Sequence, residues 1–363
     1  MAIGIGIIGL SASPTAWVSR GHMGALRHPR LSSKYTLKAL ATSSPSSATA
    51  AAETWGLPRE AAYHTPDQIA ADKNVDLVVI GVKLPLHRDL ALPSLRAGKD
   101  VLIEWPLATN MEEIDELRQA ARDGGGKVWV GLQARCSPVI LKAKEIIENG
   151  ILGKIISTSI VGTDSTLLYL PPKFDYEHDK KNRADISSIT SGHILDALCF
   201  LLGEFEALTS TSHCFFPLIE TPHHSASVPR DAPDSFMVQG VLSNGAVASL
   251  SLVLATKDTP SSISWIITGE KASLKFEGPN INIQMIPPEL FLHAGAGKEW
   301  EKMEITPAFA FGQVGELYEA IADGEKTKGC LVDLEGAALR HRMLEACARS
   351  SESGTRETYT IEA

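Results

Sequence analysis

The chain has 363 residues, 44% of them hydrophobic and 21% charged, which describes an ordinary globular protein of two domains. Its net charge of -9 argues against binding nucleic acid through the phosphates, which requires clustered cations. No apolar stretch reaches the roughly 18 residues that would span a bilayer.

The start, Met1-Ala2-Ile3-Gly4-Ile5, reads as a buried strand rather than a secretory signal. From residue 3 to 130, short apolar runs alternate with helical patterns. The runs are Ile5-Gly6-Ile7-Ile8, Thr36 to Leu40, Leu77-Val78-Val79-Ile80, Val101-Leu102-Ile103 and Val128-Trp129-Val130. Apolar on both faces, they suit a parallel sheet covered by helices, hence a doubly wound dinucleotide-binding (Rossmann) domain over residues 1–135. Met111, Ile114, Leu117 and Ala121 recur at helical spacing. Pro138 to Gly150 reads as a helix with Gly150 beyond its end.

The texture changes after about residue 153. Ile155 to Val161, Phe236 to Leu242, Ala246 to Leu254, Ser262 to Thr268 and Ala272 to Phe276 look like longer strands. Asn244-Gly245 between two of them signals a hairpin. Residues 136–363 therefore form an α+β domain with an open, mostly antiparallel sheet. Leu167 to Asp185, rich in Pro, Lys, Asp and Tyr, reads as a loop. Residues 313 to 350 return to a helical pattern. Cys136, Cys199, Cys214, Cys330 and Cys347 are odd in number without paired spacing, so they read as reduced thiols of a cytoplasmic protein. No Cys/His cluster has zinc-site spacing, and no metal is expected. His223-His224, in a Pro/Ser-rich loop, reads as a solvated pair.

The first strand runs into Gly9-Leu10-Ser11-Ala12-Ser13-Pro14, where a dinucleotide fingerprint would be G-x-G-x-x-G. Gly9 fits the first glycine. Ser11 stands at the second, and the third is missing. The order strand, turn, helix still permits a pyrophosphate at the helix amides. The second strand ends Ala41-Thr42-Ser43-Ser44. It carries no carboxylate to repel a 2′-phosphate, and Thr42, Ser43 and Ser44 offer three hydroxyls. That favours NADP over NAD as cofactor; the alternative is a serine-rich turn with no ligand role.

Three segments give the chain a family resemblance. Glu104-Trp105-Pro106 closes a strand where the Gfo/Idh/MocA oxidoreductases carry Glu-Lys-Pro. Gly81-Val82-Lys83-Leu84-Pro85-Leu86-His87 resembles their Thr-Pro-x-x-x-His segment. Gly192-His193-Ile194-Leu195-Asp196 resembles their x-His-x-x-Asp, which follows a catalytic aspartate. The resemblance implies a Rossmann domain and a second sheet domain that forms a homodimer. It also implies NAD(P)-dependent hydride transfer to or from a small carbonyl or alcohol substrate. Val82, His87, Glu104 and Trp105 would join Gly9, Leu10 and Ser11 around the cofactor, the alternative for His87 being a solvated histidine at a helix start. Where the family has its catalytic lysine and aspartate, this chain has Trp105 and Ile189, neither of which exchanges protons.

Within the family the resemblance is nearest to the fungal galactose-pathway repressor and its paralogues, through runs such as Gly131-Leu132-Gln133-Ala134-Arg135 and Ser137-Pro138-Val139-Ile140. The second expectation is therefore a non-catalytic dinucleotide-binding regulator that docks a protein partner. For the oxidoreductase expectation His193 is the proton carrier, Asp196 three residues on could orient its ring, and Lys83 at the end of the fourth strand could supply the missing cation; the alternatives are a structural His193–Asp196 hydrogen bond and a solvated surface lysine. Trp105 either stacks on the nicotinamide or packs in the core. Tyr176, Lys173 and Asp185 form the pool for a replacement acid.

Overall fold

The computed structural model describes residues 2–255, 258–305, 309, 312–324 and 329–359. It divides into two compact units. The first comprises Met1–Cys136 and Ala308–Ala338, the second Ser137–Pro307 and Leu339–Ala363.

The first unit is built on six parallel strands, β1 (Ile3–Ile8), β2 (Tyr35–Ala41), β3 (Ala62–Tyr63), β4 (Leu77–Ile80), β5 (Asp100–Glu104) and β6 (Val128–Gly131). Their order is β3-β2-β1-β4-β5-β6, that of a dinucleotide-binding sheet. All four residues of β4 are buried, as the apolar run requires of a strand covered on both faces. β3 is only two residues long, too short to leave an alternating pattern in the sequence. The helices of this unit are α1 (Met23–Leu26), α2 (Pro45–Trp55), α3 (Pro66–Ala71), α4 (His87–Arg96) and α5 (Met111–Gly124), joined later in the chain by α8 (Val314–Asp323). Local chemistry sets their ends. Ser44 and Ser47 close a capping box on α2, Thr65 and Gln68 one on α3, each followed by a proline in the first turn. Asn110 caps α5, whose far end stops at Gly125 with φ +79.

The second unit opens with α6 (Pro138–Glu148) and carries an eight-stranded sheet. Its strands are β7 (Ile155–Asp164), β8 (Phe205–His213), β11 (Ser235–Leu242), β12 (Val247–Leu254), β13 (Ser262–Gly269), β14 (Ser273–Gly278), β15 (Glu289–His293) and β16 (Trp300–Lys302). The short pair β9 (Leu218–Ile219) and β10 (Val228–Pro229) stands apart. The order is β16-β15-β14-β13-β7-β12-β11-β8. The β11–β12 hairpin turns at Asn244-Gly245 as its sequence signals. The sheet is mostly antiparallel, as expected, with one parallel pair, β7 and β12. They are far apart in sequence, and the long crossover between them, which contains α7 (Ser191–Leu202), permits a parallel neighbour.

One face of this sheet buries Ile160, Leu250, Leu252, Trp265 and Phe276, while Val161 (62%), Val247 (58%) and Met237 (47%) stand exposed on strands of the same sheet. The helical run Lys180–Leu202 does have the length and apolar content of a membrane span, contrary to the sequence expectation. Yet 78% of that window is buried inside the protein, which makes it a core helix. The last helix, α9 (Leu334–Ser353), begins in the first unit and continues into the second.

Candidate functional site

In the first unit the turn after β1 is shaped by Gly9. Its φ is +99, and a Cβ there would sit 2.3 Å from the Gly81 carbonyl oxygen at the end of β4. Gly81 in turn lies against Val18, where a Cβ would come within 2.5 Å of a methyl. The turn therefore runs backbone to backbone across the strand ends, the close approach that a dinucleotide cradle needs. Leu10 is wholly buried. The Trp55 indole donates to the Ser11 carbonyl at 2.9 Å and pins the enlarged loop. The helix beyond it starts with a π turn, Val18–His22, and continues as α1. A turn of this kind fits a dinucleotide.

At the end of β2 the hydroxyls already have local work. Ser44 Oγ accepts from the Ser47 amide at 3.2 Å as the cap of α2, and Thr42 Oγ1 lies 2.6 Å from Ser47 Oγ. Ser43 is exposed. No carboxylate stands in Ala41-Thr42-Ser43-Ser44.

His87 is 1% exposed, which corrects the alternative of a solvated histidine at a helix start. Its Nδ1 lies 2.9 Å from the Pro106 carbonyl and its Nε2 3.0 Å from the Val82 carbonyl. The imidazole thus ties the segment after β4 to the segment after β5. Burial lowers its pKa, so the ring is neutral and donates to one carbonyl at a time. Lys83 is exposed just beyond β4, and Trp105 is buried before a cis Pro106. Glu104 ends β5 and accepts a 2.8 Å hydrogen bond from His22, a residue that sequence reasoning passed over. His22 is also bonded to Tyr318, almost 300 positions away, a partnership with no local signal in the sequence.

In the second unit His193 and Asp196 lie on α7, both buried. A π turn, Ile186–Thr190, leads into this helix, and Asp185 caps it by accepting from the Ser187 amide at 2.8 Å. Ile189, at the family's aspartate position, belongs to that turn. Asp196 meets the guanidinium of Arg340, itself buried, at 3.3 Å. Arg340 also donates to both oxygens of Glu204, at 3.0 and 2.8 Å, and Tyr359 donates to Glu204 at 2.7 Å. Burial would raise the Glu204 carboxyl, but the Arg340 hydrogen bonds and charge hold it below its ordinary value.

The segment 167–185 forms short 3-10 turns with no strand, as its composition indicated. Burial raises the Glu177 carboxyl to about 8, with Asp185 adding to the rise and a Tyr176 hydrogen bond opposing it. Burial raises Asp185 as well. His224 is not the solvated residue expected of its loop. It bridges Asp175 Oδ2 at 2.9 Å and Thr221 Oγ1 at 2.9 Å, tying two loops together. All five cysteines are free thiols. Among the described residues, no group of three His, Cys, Asp or Glu side chains could hold a metal ion.

A six-stranded parallel sheet in this order, with a glycine-bound turn after its first strand, defines a Rossmann-type nucleotide-binding protein with a second, mixed-sheet domain. Comparison with known proteins places it more narrowly. Residues 3–132 match the oxidoreductase family model with an NAD-binding Rossmann fold, and residues 138–278 match the model of the Gal80p C-terminal domain. The chain is 39% identical to the dehydrogenase aclE of Aspergillus oryzae over 98% of both chains. It is 28% identical to the galactose/lactose metabolism regulatory protein GAL80 of Saccharomyces cerevisiae, over 76% of this chain and 67% of that one. A crystal structure of a Saccharomyces cerevisiae Gal80p super-repressor mutant superposes with a TM-score of 0.86 at 25% identity, covering 99% of this chain and 98% of that one. Levoglucosan dehydrogenase in complex with NADH and L-sorbose superposes with a TM-score of 0.79 at 19% identity, covering 99% of this chain and all (100%) of that one, a likeness of fold. The chain belongs to the Gfo/Idh/MocA oxidoreductase family.

Proposed function

We propose that this chain is an NAD(P)-dependent oxidoreductase acting on a small carbonyl or alcohol substrate, with its proton chemistry moved off the usual lysine and aspartate. The observation that carries this reading is the Gly9 turn, closed against Gly81 at the ends of β1 and β4, in a chain resembling a dehydrogenase along its whole length. A bound nicotinamide would supply or accept the hydride. Gly9, Leu10 and Ser11 would receive the pyrophosphate through the backbone, and Thr42, Ser43 and Ser44 the ribose end. NADP is the favoured form, because Ala41-Thr42-Ser43-Ser44 sets no carboxylate against a 2′-phosphate.

Trp105 and Ile189 exchange no protons, so His193 is the inherited group proposed to do so. Lys83 is proposed to supply the missing cation. Asp196 enters this scheme through Arg340: the buried pair fixes α7 and with it the position of His193. The test is single-turnover mixing of the protein and NADPH with ketones, sugars and imines, following loss of the reduced-nicotinamide absorbance. Oxidation by one class, weakened in His193→Ala with the fold intact, is the expected result. No oxidation with any class would remove the enzyme reading.

A second reading has its own observation. Gal80p is a transcriptional regulator, and its structures match this chain's fold over nearly the full length. Under it, the protein binds a dinucleotide without turnover and docks a protein partner. Pull-down of such a partner in a dinucleotide-dependent manner, with no turnover, would favour that reading.

A further inference from the structure

Three side chains of the first unit, Tyr318, His22 and Glu104, form a chain that the proposed proton carrier does not use, and Tyr35 braces it at the Tyr318 backbone. The Tyr35 hydroxyl donates to the Tyr318 carbonyl at 2.7 Å. The Tyr318 hydroxyl lies 2.7 Å from His22 Nδ1, and His22 Nε2 lies 2.8 Å from Glu104 Oε1. His22 and Tyr318 are both wholly buried, and the rings of Trp17 and Tyr318 meet the imidazole edge-on. His22 closes a π turn, a helical irregularity often found at functional sites.

The tautomer follows from the donors available. Among the described residues the Tyr318 hydroxyl has one hydrogen-bond partner, His22 Nδ1. Burial keeps that hydroxyl protonated, and a buried hydroxyl proton needs an acceptor. Tyr318 therefore donates to Nδ1, the ring proton sits on Nε2, and Nε2–H donates to Glu104. The imidazole, held by Tyr318, in turn holds the carboxylate in place. Glu104 ends β5, at the carboxyl edge of the parallel sheet, where ligands of open α/β sheets bind. Its side chain is 14% exposed against 0% for His22, so the chain of hydrogen bonds surfaces at the carboxylate.

We propose that the Tyr318–His22–Glu104 chain selects the redox state of the cofactor: it fixes an anion at the end of β5 that favours the cationic, oxidised nicotinamide ring over the neutral, reduced one. Glu104 determines the preference, and His22 and Tyr318 are positioning residues acting through it. Tighter binding of the oxidised form makes the bound reduced form a stronger hydride donor, because the two affinities and the bound equilibrium are linked. The site would then favour carbonyl reduction.

The proposal rests on the dinucleotide reading above, and the test separates the two. The full chain is titrated with NADP+ and with NADPH, and the ratio of dissociation constants is measured for each variant. Glu104→Gln keeps the side-chain shape and removes the charge. It should weaken NADP+ about tenfold while moving NADPH less than about twofold. Tyr318→Phe removes only a hydroxyl and should move the ratio the same way by a smaller factor, deciding the matter if Glu104→Gln fails to fold. Equal shifts in both forms, or an unchanged ratio, would overturn the selector and leave the dinucleotide reading standing. If the unaltered chain bound neither form, the reading beneath it would fall instead.

Discussion

Gly9 and Gly245 share a backbone conformation and differ in what surrounds them. Gly9 has φ +99 with the Gly81 carbonyl 2.3 Å from where a Cβ would go, whereas Gly245 has φ +85 with open space around it. Alanine at Gly245 meets only the left-handed strain, about 1 kcal/mol. Alanine at Gly9 adds a clash with backbone, which yields only if β1 and β4 separate. Gly9→Ala should therefore cost more than about 3 kcal/mol and abolish dinucleotide binding, while Gly245→Ala leaves binding intact. Thermal unfolding and cofactor titration of both variants check this; similar losses in the two would contradict it.

At the same scale, Asp196 is held by a buried guanidinium. Arg340 is fully buried between Asp196 and Glu204. Replacing Arg340 by Met leaves two inward carboxylates without their guanidinium, a change that costs about 3–5 kcal/mol. A drop of that size in urea unfolding is expected, and a loss under about 1 kcal/mol would show the network to be marginal. The sequence showed the spacing of His193 and Asp196 but not their partners. Arg340 lies 144 positions from Asp196, and no local pattern announces such a pairing. Glu104 was legible as the end of a strand, while its support by His22 and Tyr318 depends on α8 packing beside the sheet of the first unit.

At the scale of elements, the apolar runs of the first half translated directly into strands, because a strand buried on both faces has few other readings. α2 was foreshadowed by its own cap: the serines read as phosphate ligands are in part the N-terminal lock of the helix. The segment 167–185 read as a loop, and its composition could not disclose that burial sets Glu177 apart. That carboxyl rises from 4.5 to about 8 on folding. Below 4.5 both folded and unfolded states hold the proton, and folding is not penalised. Between 4.5 and about 8 the unfolded chain ionises first, so stability falls as pH rises through that window. Glu177→Gln should flatten this slope, gaining stability over the parent at the upper end and none at the lower. Denaturant midpoints across that range measure it, and parallel pH curves for the two proteins would refute it.

For the whole molecule, the fold was readable because strand–helix alternation followed by long alternating strands leaves few architectures. The parallel β7–β12 pair was not, since strand direction depends on a crossover rather than on the strand's own pattern. Exposed Val161, Val247 and Met237 on the second sheet fit a homodimer in which this face is covered. Sedimentation should then give twice the mass of one chain, and Val161→Lys should shift it toward the monomer. A chain monomeric at all concentrations would remove that proposal. Trp105 and Ile189 stand where the family has its lysine and aspartate, which bears on turnover. The claim under everything else is that the first unit holds a nicotinamide dinucleotide. Calorimetric titration of the purified chain with NADPH and NADH tests it most directly: saturable binding of one molecule per chain, tighter for NADPH, is the predicted result, and no binding of either would contradict it.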